Sequence, residues 1–288
     1  MSAGPGGSPN GAGPDHAGER LRLGGMALRN GLLIHGPSSW AIAARTADGR
    51  IEAASGPKPS FAPGRLGSLP ILRGPLRLAE ALAVIPLARV RLPAARLPFE
   101  DRGVLAAVGL SLLISGALRR RRPTEPSAAG ATAREAAVAL LGALPALAAL
   151  RDHDLASYHG VEHKAIGGYE AGADPVDVPK EHRRCGSNLI VPMLAFSIAG
   201  QVLVERLLDE PGSVARGLAG LAGVGAAVEL FVYADRNPDS GLGRAVHGPG
   251  HEIQRLISTR EPTTEQLEVG RVALQEVLRA EAETADTV

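Results

Sequence analysis

The sequence predicts a mostly α-helical, multi-span membrane protein with a small N-terminal β-hairpin element and a C-terminal amphipathic helix. Two observations favour this fold class. Four low-charge stretches follow one another along the chain. Aromatic residues make up only 3% of the 288 residues, so Ala, Leu, Val and Gly carry most of the apolar content. Small residues let helices approach closely in lipid, which makes this composition typical of a membrane bundle.

The N-terminal part is predicted to begin with a disordered tail over residues 1–19, because its Gly, Pro and Ser residues contain no apolar run. No basic and apolar leader is visible there, so we expect the N-terminus to stay in the cytoplasm. Residues 20–98 are expected to form a cytoplasmic β element and an interfacial helix. The β element is a hairpin whose turn includes Asp48 and Gly49, a dipeptide typical of such turns.

The interfacial helix is predicted over residues 73–92, where leucines and alanines recur on one helical stripe and most of the arginines lie off it. Pro86 is expected to interrupt this helix. Such a helix lies on a membrane surface or packs on a soluble core, and the surface position is favoured if the following segments span the bilayer.

The membrane region is predicted over residues 99–240. Its low-charge stretches cover residues 103–118, 136–150, 188–204 and 214–234. Each is at or below the roughly 20 apolar residues that a spanning helix needs, but four in succession favour a bundle in the lipid bilayer. We therefore expect a multi-pass protein of the cell (inner) membrane. A soluble, alanine-rich helical protein is the alternative.

The C-terminal part, residues 241–288, is predicted to be a loop followed by a helix. His247 and His251 fall in the expected loop, since Pro249 and two glycines surround them. Thr263 and Gln266 have the spacing of a capping box at the start of the helix.

Charge and cysteine content exclude two classes of protein. The formal net charge is only +1, which removes the overall electrostatic case for nucleic-acid binding. A single cysteine excludes an internal disulfide framework.

Histidines cluster in the expected loop over residues 151–187, which holds His153, His159, His163 and His182 beside the single Cys185. His159 and His163 have i and i+4 spacing, so on a helix both imidazoles share one face and can bind one metal ion. His182 and Cys185 are three residues apart and offer further nitrogen and sulfur ligands. This donor set suits a divalent transition metal, above all zinc.

Glu162 completes the string His-x-x-Glu-His, the inverted zincin pattern in which the glutamate activates a metal-bound water. A five-residue match is weak evidence alone. The alternative is that the histidines only form hydrogen bonds, that Cys185 is a small buried apolar residue, and that Glu162, Lys164 and Glu170 form a solvated face.

The segments YHGVEHKAIGGYE and HRRCGSNLIVP together resemble the YqhQ-like bacterial family of unknown function, which is usually described as metal-dependent integral membrane enzymes. The N-terminal GGMALRNG, the LPILRG step and the C-terminal STREPTTEQLEV are similar to further segments of that family. The resemblance implies a membrane protein with a metal site. It also implies supporting roles around that site for Tyr158, Lys164, Glu170 and Arg184.

Three functions are compatible with these residues. In a metal-dependent hydrolase, His159, His163 and one of His182 or Cys185 hold the ion, and Glu162 is the general base for a water in the open position. In a non-enzymatic membrane scaffold, all four ligands close a structural zinc site. An ion transporter is the least favoured, because Glu229 is the only acidic candidate within the last stretch. The sequence does not identify the substrate.

Overall fold

The computed structural model describes residues 20–61, 69–120, 128–208 and 210–286. The predicted disordered tail at residues 1–19 lies outside the described residues. The described chain forms four strands and nine α-helices. The strands are β1 (Gly24–Ala27), β2 (Gly31–His35), β3 (Ser39–Arg45) and β4 (Ile51–Pro57). The helices are α1 (Arg73–Arg91), α2 (Arg102–Arg120), α3 (Ala128–Gly142), α4 (Leu144–Ala149), α5 (His153–Ala171), α6 (Ile190–Leu207), α7 (Ser213–Arg236), α8 (Gly241–Ile253) and α9 (Thr264–Ala285).

The strands form one antiparallel sheet in the order β1-β2-β3-β4. The predicted hairpin is the β3–β4 pair, in which Arg45 lies opposite Ile51. Gly49 occupies its turn with a φ of 85°, a left-handed conformation that glycine adopts without strain. β1 and β2 extend the sheet beyond the element that the sequence predicted.

Both faces of the sheet are buried, since successive side chains of a strand point to opposite faces. Leu32 and Ile34 of β2 pack with Val161 of α5 and Val269 of α9 on one face. On the other face, Trp40 and Ile42 of β3 pack with Val84 and Ala88 of α1. The sheet therefore lies between α1 and the α5–α9 pair.

α1 is one continuous helix, so the expected interruption at Pro86 does not occur. Its buried residues include Val84 and Ala88, which contact the sheet. Leu78, Leu82 and Val90 remain exposed. The helix thus packs on a core through one face and leaves apolar side chains uncovered on the other.

The bundle consists of α2, α3, α4, α6 and α7. Three helical segments are long and apolar enough to cross a membrane: Arg102–Arg120, Gly186–Leu207 and Ser213–Arg236. Their mean hydropathies are 1.4, 1.7 and 1.6, and at most 22% of each apolar window is buried. Three of the four predicted stretches therefore form helices of spanning length. The fourth, 136–150, does not, because the helical conformation is interrupted between α3 and α4.

Ion pairs connect four bundle helices at the end remote from the sheet. Glu135 of α3, whose side chain is 1% exposed, lies 3.0 Å from Arg119 of α2. Arg134 contacts both Glu135 and Glu205 of α6. Arg216 of α7 lies 3.0 Å from the other oxygen of Glu205. Buried charges require partners, and this network supplies them.

Two segments expected to be loops are helical. Residues 153–171 form α5, which begins where the Asp152 side chain accepts hydrogen bonds from the backbone N–H groups of residues 154 and 155 and ends at Gly172 with a φ of 69°. Residues 241–253 form α8 despite Pro249, with Ser240 as the N-cap. Tertiary packing overrides the weak helix propensity in both cases: α5 is buried against the sheet and α9, and α8 packs on α7.

The predicted C-terminal amphipathic helix is confirmed as α9. Its capping box is present, with the Thr263 side chain accepting from the Gln266 backbone and the Gln266 side chain accepting from the Thr263 backbone. At its other end, the Glu281 carboxylate accepts hydrogen bonds from the backbone N–H groups of Ser38 (2.9 Å) and Ser39 (2.6 Å). The last turns of α9 therefore hold the turn between β2 and β3.

Candidate metal centre

The centre is built on α5, where His159 and His163 lie one turn apart with ring centroids separated by 4.4 Å. The helix is deeply buried, and His163 is 2% exposed. The i and i+4 spacing therefore does what the sequence predicted: it directs two imidazoles to the same place.

Cys185 lies in the segment that follows α5. The short 3-10 turn Gly186–Leu189 begins directly after it, and its Sγ lies 3.4 Å from Nε2 of His159. One ligand atom each from His159, His163 and Cys185 lies within 4.8 Å of the others. This grouping of two nitrogens and one sulfur is compact enough to bind a single metal ion.

The hydrogen bonds of both imidazoles prepare them as ligands. Nδ1 of His159 lies 2.7 Å from the carbonyl oxygen of Ser258, and Nδ1 of His163 lies 2.6 Å from that of Lys180. A carbonyl only accepts, so each Nδ1 carries the proton and each Nε2 presents a lone pair. Nε2 of His163 is buried and has no hydrogen-bond partner among the residues that the structure describes. A buried acceptor without a partner is costly, and a bound cation would satisfy it.

Burial sets the protonation of two of these groups. It lowers the pKa of His163 to about 3, with the nearby His159 acting in the same direction. It raises the pKa of the Cys185 thiol to about 11. His163 is therefore neutral and able to bind a metal near pH 7, whereas Cys185 is a thiol until a cation beside it favours the thiolate.

The carbonyl that orients His159 is placed by an unusual piece of backbone. A π-helix over Gln254–Ser258 follows α8, and the N–H of Thr259 closes it on the carbonyl of Gln254 at 3.1 Å. Gly160 lets this segment approach α5, because a Cβ there would collide with the backbone oxygen of Arg260. π-helical turns are frequently found at functional sites, and this one orients a predicted ligand.

Glu162 lies beside the three ligands and lines the same cavity. It is 8% exposed, and burial raises the pKa of its carboxyl group, partly opposed by His159. Gly25 of β1 makes room for it, since a Cβ at that position would come within 2.8 Å of Cγ of Glu162. The carboxyl group is thus held between the sheet and the candidate metal position.

The structure does not bring His182 into the three-residue group. Its Nε2 lies 3.0 Å from Oε2 of Glu170, and Arg184 forms an ion pair with the same carboxylate. Its ring centroid is nevertheless only 5.7 Å from that of His163. Gln254 holds the segment in place by accepting a hydrogen bond from the His182 backbone N–H at 2.7 Å. His182 therefore borders the site through Glu170 and is not positioned as a fourth ligand.

Lys164 and Tyr158 have other contacts. The buried ammonium of Lys164 donates to the carbonyl oxygens of Val176 (3.2 Å) and Val178 (2.8 Å) and pairs with Glu261 at 2.7 Å. It therefore fixes the chain that leads from α5 to Cys185. Tyr158 is buried on another side of α5, where burial raises the pKa of its phenol and the nearby Arg45 opposes that shift.

A cavity of about 540 Å³ surrounds the ligands and opens between β1, α4, α5 and the segment around Cys185. His159, His163, Glu162 and Cys185 line one part of it. The residues that position them, chiefly Ser258, Lys180 and Gln254, were not predicted. The first two act through backbone carbonyls, for which no side-chain pattern in the sequence gives a signal.

Comparison with known proteins finds similarity over the part of the chain that contains this site. Residues 140–280 match the model of a family described as protein of unknown function DUF1385. The chain is also 30% identical over 137 residues to the uncharacterized protein YqhQ of Bacillus subtilis (strain 168). That alignment covers 43% of this chain and 41% of YqhQ. No solved structure matches the chain. The resemblance found in the sequence is confirmed over the part that contains the three ligands.

Proposed function

We propose that the protein, whose residues 140–280 match the DUF1385 family of unknown function, is an integral membrane, metal-dependent enzyme of the hydrolase type. The ion is a divalent transition metal, and zinc is the best fit to the donors. The proposal rests on the convergence of His159, His163 and Cys185, whose ligand atoms lie within 4.8 Å of one another.

Imidazole nitrogen and thiolate sulfur are the donors that zinc sites use most. Both histidines have their Nδ1 atoms occupied by carbonyl oxygens, so their Nε2 atoms are free to bind the ion. Nε2 of His163 adds support, because it is without a partner in the described part of the chain and only a cation or a hydrogen-bond donor would satisfy it.

An open coordination position favours catalysis over a structural role. Catalytic zinc sites have three protein ligands and one position for water, whereas structural sites are closed by four. The group has three members, and a cavity of about 540 Å³ lies beside them. His182 is held by Glu170 instead of completing the set.

Glu162 is suited to the role of general base. It lies on the same helix turn as the two histidines and lines the cavity. In the proposed step it takes a proton from a water, the water oxygen bonds to the electrophilic atom of the substrate, and the proton passes to the leaving group as its bond breaks. A bound ion would polarise the water and stabilise the developing negative charge.

A multi-pass location in the cell membrane completes the proposal. Three helices have the length and hydropathy to span a bilayer, and side chains such as Leu112, Leu113 and Leu203 are 56–74% exposed on them. Contiguous exposed apolar surface of this kind needs lipid or a partner to cover it.

A structural zinc site on a non-enzymatic scaffold is the second candidate. The short separation between the His163 and His182 rings, 5.7 Å, favours it, because a rotation of His182 away from Glu170 would supply a fourth ligand. In that case Glu162 would only orient imidazoles.

Metal analysis of the detergent-purified protein tests the proposal. We expect about one zinc per chain in the wild type and a loss of most of it in His163→Ala. His153→Ala is the matched control, since His153 is an exposed residue at the start of the same helix. A wild-type protein that binds no transition metal at neutral pH would refute the metal centre.

A further inference from the structure

The cavity beside the three ligands has two chemically different parts. Its polar part contains the ligands, Glu162 and Arg184. Most of the rest is apolar, and the side chains of this apolar wall include Leu23, Ala146, Ala149, Leu150, Leu155 and Ile166. A ligand that fills the cavity must therefore combine a polar group with an apolar portion.

The apolar wall lies where the bundle meets the sheet. Ala146 and Ala149 belong to α4, which packs on α2, one of the helices of spanning length. Ile190, the first residue of α6, also lines the cavity. The cavity is thus continuous with the part of the molecule that exposes apolar side chains, and Ala146 itself is exposed.

The size of the cavity excludes a helical polypeptide as its occupant. Small-molecule sites measure about 300–1,000 Å³, and this cavity of about 540 Å³ falls within that range. Three turns of an α-helix about 10 Å wide and 16 Å long would fill about 1,200 Å³. An alkyl chain is narrow enough to enter.

We propose that the substrate is a small amphiphile: a polar, ion-binding group carried on an alkyl chain. The polar group contacts the metal position between His159, His163 and Cys185, and the chain lies along the apolar wall. This inference rests on the proposed metal centre and adds to it the class of substrate.

Two hydroxamates of different chain length test the inference on the full-length protein loaded with Co²⁺. Acetohydroxamate and dodecanohydroxamate present the same ion-binding group, and both report binding through the cobalt absorption spectrum. We expect the affinity to rise with chain length, by up to about fourfold for each methylene that is buried. Ala149→Trp should lower the affinity for dodecanohydroxamate by about tenfold or more. The affinity for acetohydroxamate should not change, because the tryptophan side chain occupies only the apolar part of the cavity.

Leu113→Trp is the matched control, since Leu113 lies on α2 and is 74% exposed. It adds the same side chain away from the cavity and corrects for partition of the long probe into detergent. Ala146→Trp gives a second obstruction of the wall if Ala149→Trp does not fold.

The outcomes separate the substrate class from the metal centre. A protein that binds no cobalt overturns the metal centre. A protein that binds cobalt but has equal affinity for both probes, or whose affinity for the long probe survives both wall variants, overturns the amphiphile alone. If the cobalt protein binds neither probe, the amphiphile proposal is likewise overturned.

Discussion

Nε2 of His159 and Sγ of Cys185 lie 3.4 Å apart, although 26 residues separate them in the chain. The helix α5 holds the histidine, while Lys164 and Gln254 fix the connection that returns to the cysteine. Two independent restraints therefore act on one pair of atoms. Such support is what a preformed metal site requires.

Cys185→Ala and His182→Ala should differ in their effect on metal binding. Cys185→Ala removes a proposed ligand and should lower zinc affinity by more than about 100-fold. His182→Ala removes a residue that contacts Glu170 and should lower zinc affinity by about 100-fold at most. Competition with a chromogenic chelator measures both. Equal and large losses would instead show that His182 moves from Glu170 to become a fourth ligand, which favours the structural site.

Glu162→Gln separates an enzyme from a scaffold. Glutamine keeps the shape and one acceptor but cannot take a proton, so we expect the metal content to be retained and acetohydroxamate binding to fall by about tenfold or more, since the bound probe gives up a proton. Complementation of a deletion strain should also be lost. Glu52→Gln, at an exposed position on β4, is the control for the charge change. A Glu162→Gln protein with its metal and full complementation would falsify the catalytic role.

Gly25→Ala should disturb Glu162 without removing a ligand. A Cβ at Gly25 would meet Cγ of Glu162 and the backbone oxygen of Leu33 on β2, each at 2.8 Å, so the carboxyl group must shift and the β1–β2 pairing must adjust. We expect near-normal zinc content and reduced complementation. Gly24→Ala is the matched control on the same strand, because the atoms nearest to its Cβ would be those of the His35 ring, at 3.1 Å. If both variants have the same zinc content and complementation, the position of the Glu162 carboxyl group does not determine activity.

Membrane association can be measured by washing membranes in alkaline carbonate. With three helices of spanning length, the protein should remain in the pellet and enter the supernatant only with detergent. Release by carbonate alone would contradict the membrane bundle.

His35 should make the folded state less stable in acid. Burial, with Lys58 at 3.3 Å, lowers its pKa to about 4 from the ordinary 6.5. Between these values the unfolded chain binds the proton and the folded chain does not, so the free energy of unfolding falls as the pH drops from 6.5 to 4, by at most about 3 kcal/mol. The Tm of detergent-purified His35→Gln should depend less on pH over this interval than that of the wild type. An unchanged dependence would show that His35 is not responsible.

The bundle was the most predictable part of the fold. The expected stretches 103–118, 188–204 and 214–234 correspond to α2, α6 and α7 within three residues at each end, because uninterrupted apolar runs are a local signal. α5 was predicted as a loop because its burial depends on the sheet and α9, which lie far away in the chain.

The grouping of His159, His163 and Cys185 was predictable in its residues but not in its geometry. The spacing of His159 and His163 indicates one helical face whatever the rest of the fold. The choice between Cys185 and His182 depends on Glu170, which binds His182 at 3.0 Å, and on a cavity that no local pattern describes. Spacing alone makes both residues candidates, and only tertiary contacts distinguish them.

The hydrogen bonds from Ser38 and Ser39 to Glu281 join the turn between β2 and β3 to α9. These residues are 243 and 242 positions apart in the chain. During synthesis, the sheet strands leave the ribosome long before α9, so the part of their apolar face that α9 covers stays open until that helix has been made. Every bundle helix is translated in that interval. Closure of the sheet on α9 therefore follows synthesis of the bundle, and a ribosome that stalls before α9 is complete leaves part of the sheet open to chaperones and proteases.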